Sequence, residues 1–278
     1  MRMKDKHQLC FGIVQGRLIA STSDQLQWFP QNYWETEFFL APALGFNYIE
    51  LIAERIHNPN NPLWTDEGVA KIKELSQRNN LLLSTFTNDF VVDNTLLGND
   101  LVLEQNLRLI ERGSLLGCDK YILPLFEQSE LILENIADYK TPLCIIADKA
   151  AEYGIMLCLE TNLDGNQLIE ALNNYNHPAI SVVYDTGNRV ALGHNLSRDI
   201  QLLGDRISHV HIKDKNKDSK NVILGTGLVN FLHVFDALSK INYVGPYTFE
   251  TTRGKDPLRT ASYNIELVKF FYAEAFSQ

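Results

Sequence analysis

Four residues that can bind a divalent metal stand at the ends of four successive strand-like runs. Glu160 ends "MLCLE", Asp185 ends "SVVYD", His211 lies in "SHVHI" and Glu250 ends "PYTFE". Burying a carboxylate is costly unless it is paired, and three carboxylates brought together would also repel one another. A divalent cation removes that repulsion, and an imidazole supplies a nitrogen ligand. These residue types predict a metal site, provided that the fold brings the four strand ends together.

Short apolar or β-branched runs alternate with segments of helical periodicity along the chain. The predicted strands are 9–14, 46–51, 81–86, 119–125, 155–160, 180–185, 207–213 and 246–250. Helices are predicted between them, for example one capped by Thr65 and one running from near Asn99 to Gly117. Eight β-then-α units without a linker predict an α/β protein with a single (β/α)8 TIM barrel domain over residues 1–278. A doubly wound open sheet is the alternative, but no G-x-G-x-x-G follows the first run.

The barrel prediction gives the four residues a common location. Functional groups of this fold sit at the C-terminal ends of the strands, and Glu160, Asp185, His211 and Glu250 end strands five to eight. A single Asp or Glu after a strand is more often a helix N-cap or a surface charge, and a single His is more often a core residue. The joint pattern favours the metal site. His209 shares the face of His211 and is either a core residue or a substrate contact.

Composition and charge narrow the class of protein. The 278 residues are 45% hydrophobic and 21% charged, and the net charge of −9 opposes sequence-independent binding to nucleic acid or anionic membrane. No run approaches the roughly 20 apolar residues of a membrane span, and the apolar run at 9–14 is too short for a signal-peptide core. Four scattered cysteines without a C-x-x-C pair predict reduced thiols. We expect a cytoplasmic protein that acts on a small molecule.

The C-terminal half resembles one known superfamily. The segments "LCLETN", "VVYDTGN", "HVHIKDK", "LGTGLVNF" and "YTFET" are similar, in order, to strands five to eight of xylose-isomerase-like TIM barrels. These include D-tagatose 3-epimerase, L-ribulose- and L-xylulose-phosphate 3-epimerases, inosose dehydratase and, more distantly, endonuclease IV. The resemblance covers nearly the whole chain. It implies that Glu160, Asp185, His211 and Glu250 are the metal ligands, and that Glu160 and Glu250 are also the acid/base pair.

Further residues are candidate substrate contacts. Asn188 stands where the free-ketose branch has a histidine, so "DTGN" and "HIKD" are more similar to the phosphosugar branch. Glu50 faces inward on strand two and would bind substrate or form a structural salt bridge. Lys213 would meet a phosphate or a developing enolate, or be a solvated rim lysine. Gly225 and Gly227 would turn backbone N–H groups toward an anion. The aromatic segment "QWFPQNYW" would form the wall of a sugar pocket, pack on a helix or contact another subunit.

The resemblance implies a divalent-metal-dependent epimerase or isomerase of a ketose or ketose phosphate, with proton transfer through a metal-stabilised enediolate. Mn²⁺ is the first expectation, with Mg²⁺, Co²⁺ and Zn²⁺ as alternatives because such a site selects weakly among them. Three other functions stay open: a dehydratase of the inosose type, an endonuclease-IV-like phosphodiesterase and a non-catalytic sugar-binding barrel. The phosphodiesterase would need about three zinc ions and more ligating histidines than this chain has. A homodimer is expected.

Overall fold

Eight parallel strands close into a barrel in sequence order, with the last strand paired to the first. The structure is a computed structural model that describes residues 9–21 and 26–276. The strands are β1 (Phe11–Val14), β2 (Tyr48–Ala53), β3 (Thr85–Asn88), β4 (Lys120–Leu125), β5 (Met156–Thr161), β6 (Ile180–Asp185), β7 (Ile207–Ile212) and β8 (Tyr247–Phe249). The predicted (β/α)8 barrel is therefore confirmed, and the open-sheet alternative is wrong.

Helices connect the strands and cover the outside of the barrel. They are α1 (Trp34–Leu44), α2 (Asp66–Asn79), α3 (Phe90–Asp93), α4 (Asp100–Leu116), α5 (Ile136–Glu152), α6 (Gly165–Tyr175), α7 (Thr186–Ala191), α8 (Leu196–Leu203), α9 (Phe231–Lys240) and α10 (Pro257–Phe276). The predicted N-cap is confirmed, since Thr65 accepts from Gly68 N at 3.0 Å. The helix predicted to begin near Asn99 does so, and Asn99 caps it by accepting from Val102 N at 3.3 Å. Within the described ranges, no helix is both long and apolar enough to cross a membrane.

The barrel interior combines apolar and polar side chains below the strand ends. A small buried cluster contains Ile122, Cys158 and Val183. Another part of the interior contains Tyr48, whose hydroxyl is 2.5 Å from Thr248 Oγ1. A Cβ on Gly12 would lie 2.0 Å from the Tyr48 ring, so this position needs glycine. Thr248 precedes Glu250 by two positions, so the Tyr48–Thr248 pair lies directly beneath one of the candidate metal ligands.

The third strand begins later than its sequence predicts. The run at 81–86 was expected to be the strand, but β3 covers Thr85–Asn88 and pairs with the end of β2. Leu81 is buried, whereas Leu82 is 57% exposed and makes only an isolated bridge to Tyr48. The leucine run is therefore largely a connection from α2. The shift places Asp89, rather than Phe86, at the barrel mouth.

Candidate metal centre and its cavity

The structure brings together the four residues on which the metal prediction depends. Glu160, Asp185, His211 and Glu250 are all buried, and each offers one ligand atom within 4.8 Å of the others. Asp185 and His211 are register partners on β6 and β7, which places their side chains on neighbouring strands at the same height. The convergence follows from the barrel, because parallel strands end at one rim.

One oxygen of each carboxylate is fixed by a protein donor. The backbone N–H of Asn188 donates to Asp185 Oδ1 at 2.6 Å, and the Asn188 amide donates to Glu160 Oε1 at 3.1 Å. The Gln27 amide donates to Glu250 Oε1 at 3.0 Å. Asp185 is thus the N-cap of α7 through one oxygen, while its other oxygen faces the candidate ligand cluster. The N-cap and ligand interpretations are compatible here.

The other oxygens of the three carboxylates face His211 Nδ1. His211 Nδ1 is 3.2 Å from Glu250 Oε2, 3.8 Å from Glu160 Oε2 and 3.9 Å from Asp185 Oδ2. His211 Nδ1, Asp185 Oδ2 and Glu250 Oε2 are buried. Lys213 Nζ forms ion pairs with the two oxygens, and among the described residues no further hydrogen-bond partner reaches the three atoms. Buried polar atoms are normally satisfied, and three carboxylate oxygens with one imidazole nitrogen form a suitable donor set for a divalent cation. The residues present therefore fit the metal that the family implies.

Lys213 is buried beside two of these carboxylates. Its Nζ lies 3.0 Å from Asp185 Oδ2 and 2.6 Å from Glu250 Oε2, and only 4% of the residue is exposed. A solvated rim lysine is therefore the wrong alternative. Burial acts to lower the pKa of Lys213, but Asp185 and Glu250 raise it above its ordinary value, so the side chain stays charged. A fixed positive charge thus adjoins the candidate metal centre.

Glu50 and His209 lie beneath the centre. Glu50 Oε2 is 3.1 Å from His209 Nε2 and accepts from Thr85 Oγ1 at 3.1 Å, while Glu50 Oε1 is 3.1 Å from His211 Nε2. Although burial opposes it, the two imidazoles hold the pKa of Glu50 below its usual range. His209 Nε2 is also 2.8 Å from Thr248 Oγ1. Substrate binding by Glu50 and His209 stays a prediction, since the contacts observed are to protein groups.

The predicted anion-binding glycines contact a carboxylate of the protein. Asp214 Oδ2 accepts from Gly225 N at 3.0 Å and from Gly227 N at 2.9 Å, and Asp214 Oδ1 accepts from Val229 N at 3.1 Å. A phosphate at this turn would have to displace Asp214, which is completely buried. The role of Asp214 was missed in the sequence, although it directly follows Lys213 in "HIKD". Substrate binding by the two glycines stays a prediction.

A cavity of about 290 Å³ opens above the carboxylates, and Glu160, Asn188, Lys213 and Glu250 line it. Sequence reasoning missed another lining residue, Asp89, because the predicted strand ended too early. Asp89 is 4% exposed, and its Oδ2 has no hydrogen-bond partner. Burial, reinforced by the negative charge of Glu250, raises the pKa of Asp89 to about 7. The cavity therefore combines the metal centre with a carboxyl group that can donate or accept a hydrogen bond.

The two expected acid/base residues differ in their electrostatic surroundings. Burial, together with the charges of Glu250 and Asp185, raises the pKa of Glu160 despite the opposing effect of His211. Burial acts in the same direction on Glu250, but Lys213 and His211 hold its pKa well below the usual range. The positive charge is therefore concentrated on the Glu250 side of the cavity.

Two curated relatives share segments with this chain. The L-ribulose 3-epimerase of Methylomonas sp. is 32% identical over 126 residues, which cover 42% of this chain and 43% of that protein. The ketose 3-epimerase of Arthrobacter globiformis is 30% identical over 125 residues, which cover 42% of each chain. The matched segments thus span less than half the length of these relatives.

Solved structures match over nearly the full length. An L-ribulose 3-epimerase structure has a TM-score of 0.77 at 17% identity and covers 96% of both chains. The D-allulose 3-epimerase of Methylomonas sp. has a TM-score of 0.72 at 21% identity and covers 97% of this chain and 100% of that one. At these identities the likeness shows a shared fold. The sequence profile described as "Xylose isomerase-like TIM barrel" matches residues 38–270. The chain therefore belongs to the xylose isomerase-like TIM barrel family.

Proposed function

We propose that this protein is a divalent-metal-dependent sugar epimerase or isomerase that acts on a ketose. One observation carries the proposal: each of three buried carboxylates has one oxygen fixed by a protein donor, and their other oxygens converge with His211 Nδ1. Glu160, Asp185, His211 and Glu250 would hold the cation. Mn²⁺ is the preferred ion, with Mg²⁺, Co²⁺ and Zn²⁺ as alternatives. The ketose 3-epimerase names of the matched relatives support this reaction class.

A bound divalent cation would polarise the substrate carbonyl and thereby acidify the neighbouring C–H group. The proton transfers are the task of Glu160 and Glu250. Glu160 lies on β5 and Glu250 directly follows β8, and these strands are separated by two others in the barrel order, so the two carboxylates approach the cavity from different sides. Inverting a carbon requires removal of a proton from one face and its return on the other. Two separated carboxylates meet that requirement.

Neighbouring side chains orient the two acid/base groups. Asn188 donates to Glu160 Oε1, and Gln27 donates to Glu250 Oε1, so each carboxylate is held in one orientation toward the cavity. The Lys213 ammonium lines the same cavity and would stabilise the negative charge that develops on the substrate oxygen. These contacts assign positioning to Asn188 and Gln27, and electrostatic stabilisation to Lys213.

The proposal is tested with metal-depleted protein reconstituted with each of the four ions. Each sample is incubated with a panel of ketoses and ketose phosphates, and the products are separated by chromatography. We expect an epimer or isomer that forms only with metal, and His211→Ala should both retain less metal and lose activity. A dehydrated product would make the protein a dehydratase. Turnover that is indifferent to metal would contradict the proposal.

A further inference from the structure

A second cavity adjoins the metal-centre cavity. Its volume is about 430 Å³, and Gln27, Arg55 and Asp89 line both cavities. Small-molecule sites usually measure roughly 300–1,000 Å³, so the second cavity by itself falls within this range. A ligand held over Glu160 and Glu250 has adjoining space beyond Asp89. A single ketose in the first cavity would leave the second cavity empty, whereas a larger ligand could extend into it.

The walls of the second cavity combine aromatic and hydrogen-bonding groups. Trp28 and Phe29, both in the segment "QWFPQNYW", form part of its apolar wall. Asn58 and Asp93 add polar groups. Trp28 is half-buried and Phe29 is 5% exposed. A sugar ring presents C–H groups to an aromatic surface and hydroxyl groups to amides and carboxylates. This combination suits a glycosyl unit.

The charge of the second cavity argues against a phosphate. Arg55 Nη2 is ion-paired with Glu127 and lies 3.5 Å from Asp93 Oδ1, so its charge is already compensated. Glu54 and Asp89 add two further acidic groups to the described lining, and His57 is its other basic group. A phosphate dianion would be repelled there, whereas neutral hydroxyl groups can donate to the carboxylates. The buried, unpartnered Oδ2 of Asp89 lies at the junction and can serve such a hydroxyl.

We propose that the second cavity is a subsite for a neutral glycosyl group, so that the substrate is a ketose carrying a second sugar unit. This inference rests on the proposed function of the first cavity. Asp89 would bind a hydroxyl group near the link between the two units, and Trp28 would pack against the second ring. A phosphorylated ketose would leave the second cavity unused.

Four ligands test the subsite because they share a fructose unit. D-fructose has no substituent, isomaltulose carries a glucosyl group on O6, lactulose carries a galactosyl group on O4, and D-fructose 6-phosphate carries an anion on O6. Affinities are measured by calorimetry and by Trp fluorescence on the metal-loaded protein. At least one disaccharide should bind about tenfold or more tightly than D-fructose, a difference of about 1.4 kcal/mol. D-fructose 6-phosphate should bind no more tightly than D-fructose.

Variants assign the gain to the second cavity. Trp28→Ala should abolish the gain of the disaccharide while leaving the affinity for D-fructose unchanged, and Trp28→Phe should restore part of the gain. Tyr33→Ala is the matched control, because Tyr33 is 60% exposed and lies outside the described lining of both cavities. The proposal is overturned if neither disaccharide exceeds D-fructose, if the phosphate binds most tightly, or if Trp28→Ala weakens all ligands equally.

The same samples separate the two proposals. If D-fructose is epimerised but neither disaccharide gains affinity, the subsite is wrong and the proposed function stands. If a disaccharide binds through Trp28 but no sugar of the panel is converted, the subsite stands and the proposed function is wrong.

Discussion

Glu50 Oε1 lies 3.1 Å from His211 Nε2, on the side of the imidazole opposite to the Nδ1 atom that faces Glu250 Oε2. His211 therefore bridges a completely buried carboxylate and the candidate metal centre. The hydrogen bond between His211 Nε2 and Glu50 Oε2, at 3.4 Å, fixes the imidazole orientation and leaves the Nδ1 lone pair for a cation. Glu50 is thus a positioning residue in this arrangement.

Glu50→Gln should weaken metal binding by about 10- to 100-fold, the usual cost of losing a group that orients a metal-binding imidazole. The affinity is measured by competition with a chromophoric chelator. Glu54→Gln is the matched control because Glu54 hydrogen-bonds Asn58 and Asn61 rather than a candidate ligand. Unchanged metal affinity in folded Glu50→Gln protein would refute the positioning role.

Lys213→Met should enlarge the increase in Tm that metal produces. The Lys213 ammonium contacts oxygens of Asp185 and Glu250 that would bind the cation, so it competes with the cation for them. In the metal-free protein the same ammonium partly compensates the negative charge of the carboxylates. Tm is measured by calorimetry with and without Mn²⁺. Lys240→Met, which removes a half-exposed surface lysine, should behave like the wild type. A smaller metal-induced shift in Lys213→Met would contradict this competition.

The free energy of unfolding should fall as the pH rises toward 8, because the buried Glu37 carboxyl group loses its proton. This carboxylate accepts from Gly16 N and Leu18 N, but burial raises its pKa to about 7. The unfolded value is about 4.3, so the folded protein holds the proton more tightly and its stability falls between these two pH values, by at most on the order of 3 kcal/mol. Urea unfolding at pH 5, 6.5 and 8 should show that the free energy of unfolding declines less with pH in Glu37→Gln than in the wild type. If the free energies of unfolding of the wild type and the variant differ by the same amount at all three pH values, this effect is excluded.

The metal-centre residues could be predicted because their location depends on strand ends alone. Asp185 and Glu250 occupy the rim whatever the details of helix packing, since a parallel barrel brings all strand ends to one face. The contacts around them depend on tertiary structure. Gln27 reaches Glu250 from 223 positions away in the chain, and no local pattern in the sequence marks that pairing.

One error in detail has a local cause. The predicted third strand was centred on the leucine run, because apolar runs do not distinguish a strand from a buried connection. Asp89 was consequently missed at the barrel mouth. The turn containing Gly225 and Gly227 predicts an anion site, and in the structure its N–H groups donate to the Asp214 carboxylate, which the preceding segment supplies. A glycine-rich turn specifies available N–H groups without specifying their partner.

Glu160→Gln and Glu250→Gln should each lower the epimerisation rate by a factor on the order of 10² or more, because each removes a positioned acid/base group. Metal content is measured in parallel, so that loss of the ion is separated from loss of proton transfer. One variant should still exchange the substrate proton with solvent from a single face. Near-normal turnover in either variant with metal bound would exclude that residue as an acid/base.

The central claim is proton transfer through two solvent-exchanging carboxylates at a metal-dependent site. Its most direct test is turnover of an accepted ketose in D₂O by the metal-loaded protein, with mass spectrometry of the epimeric product. We predict one deuterium at the inverted carbon, and no conversion after the metal has been removed. A product without deuterium would contradict the account, and a hydride shift between carbons would then be the better mechanism.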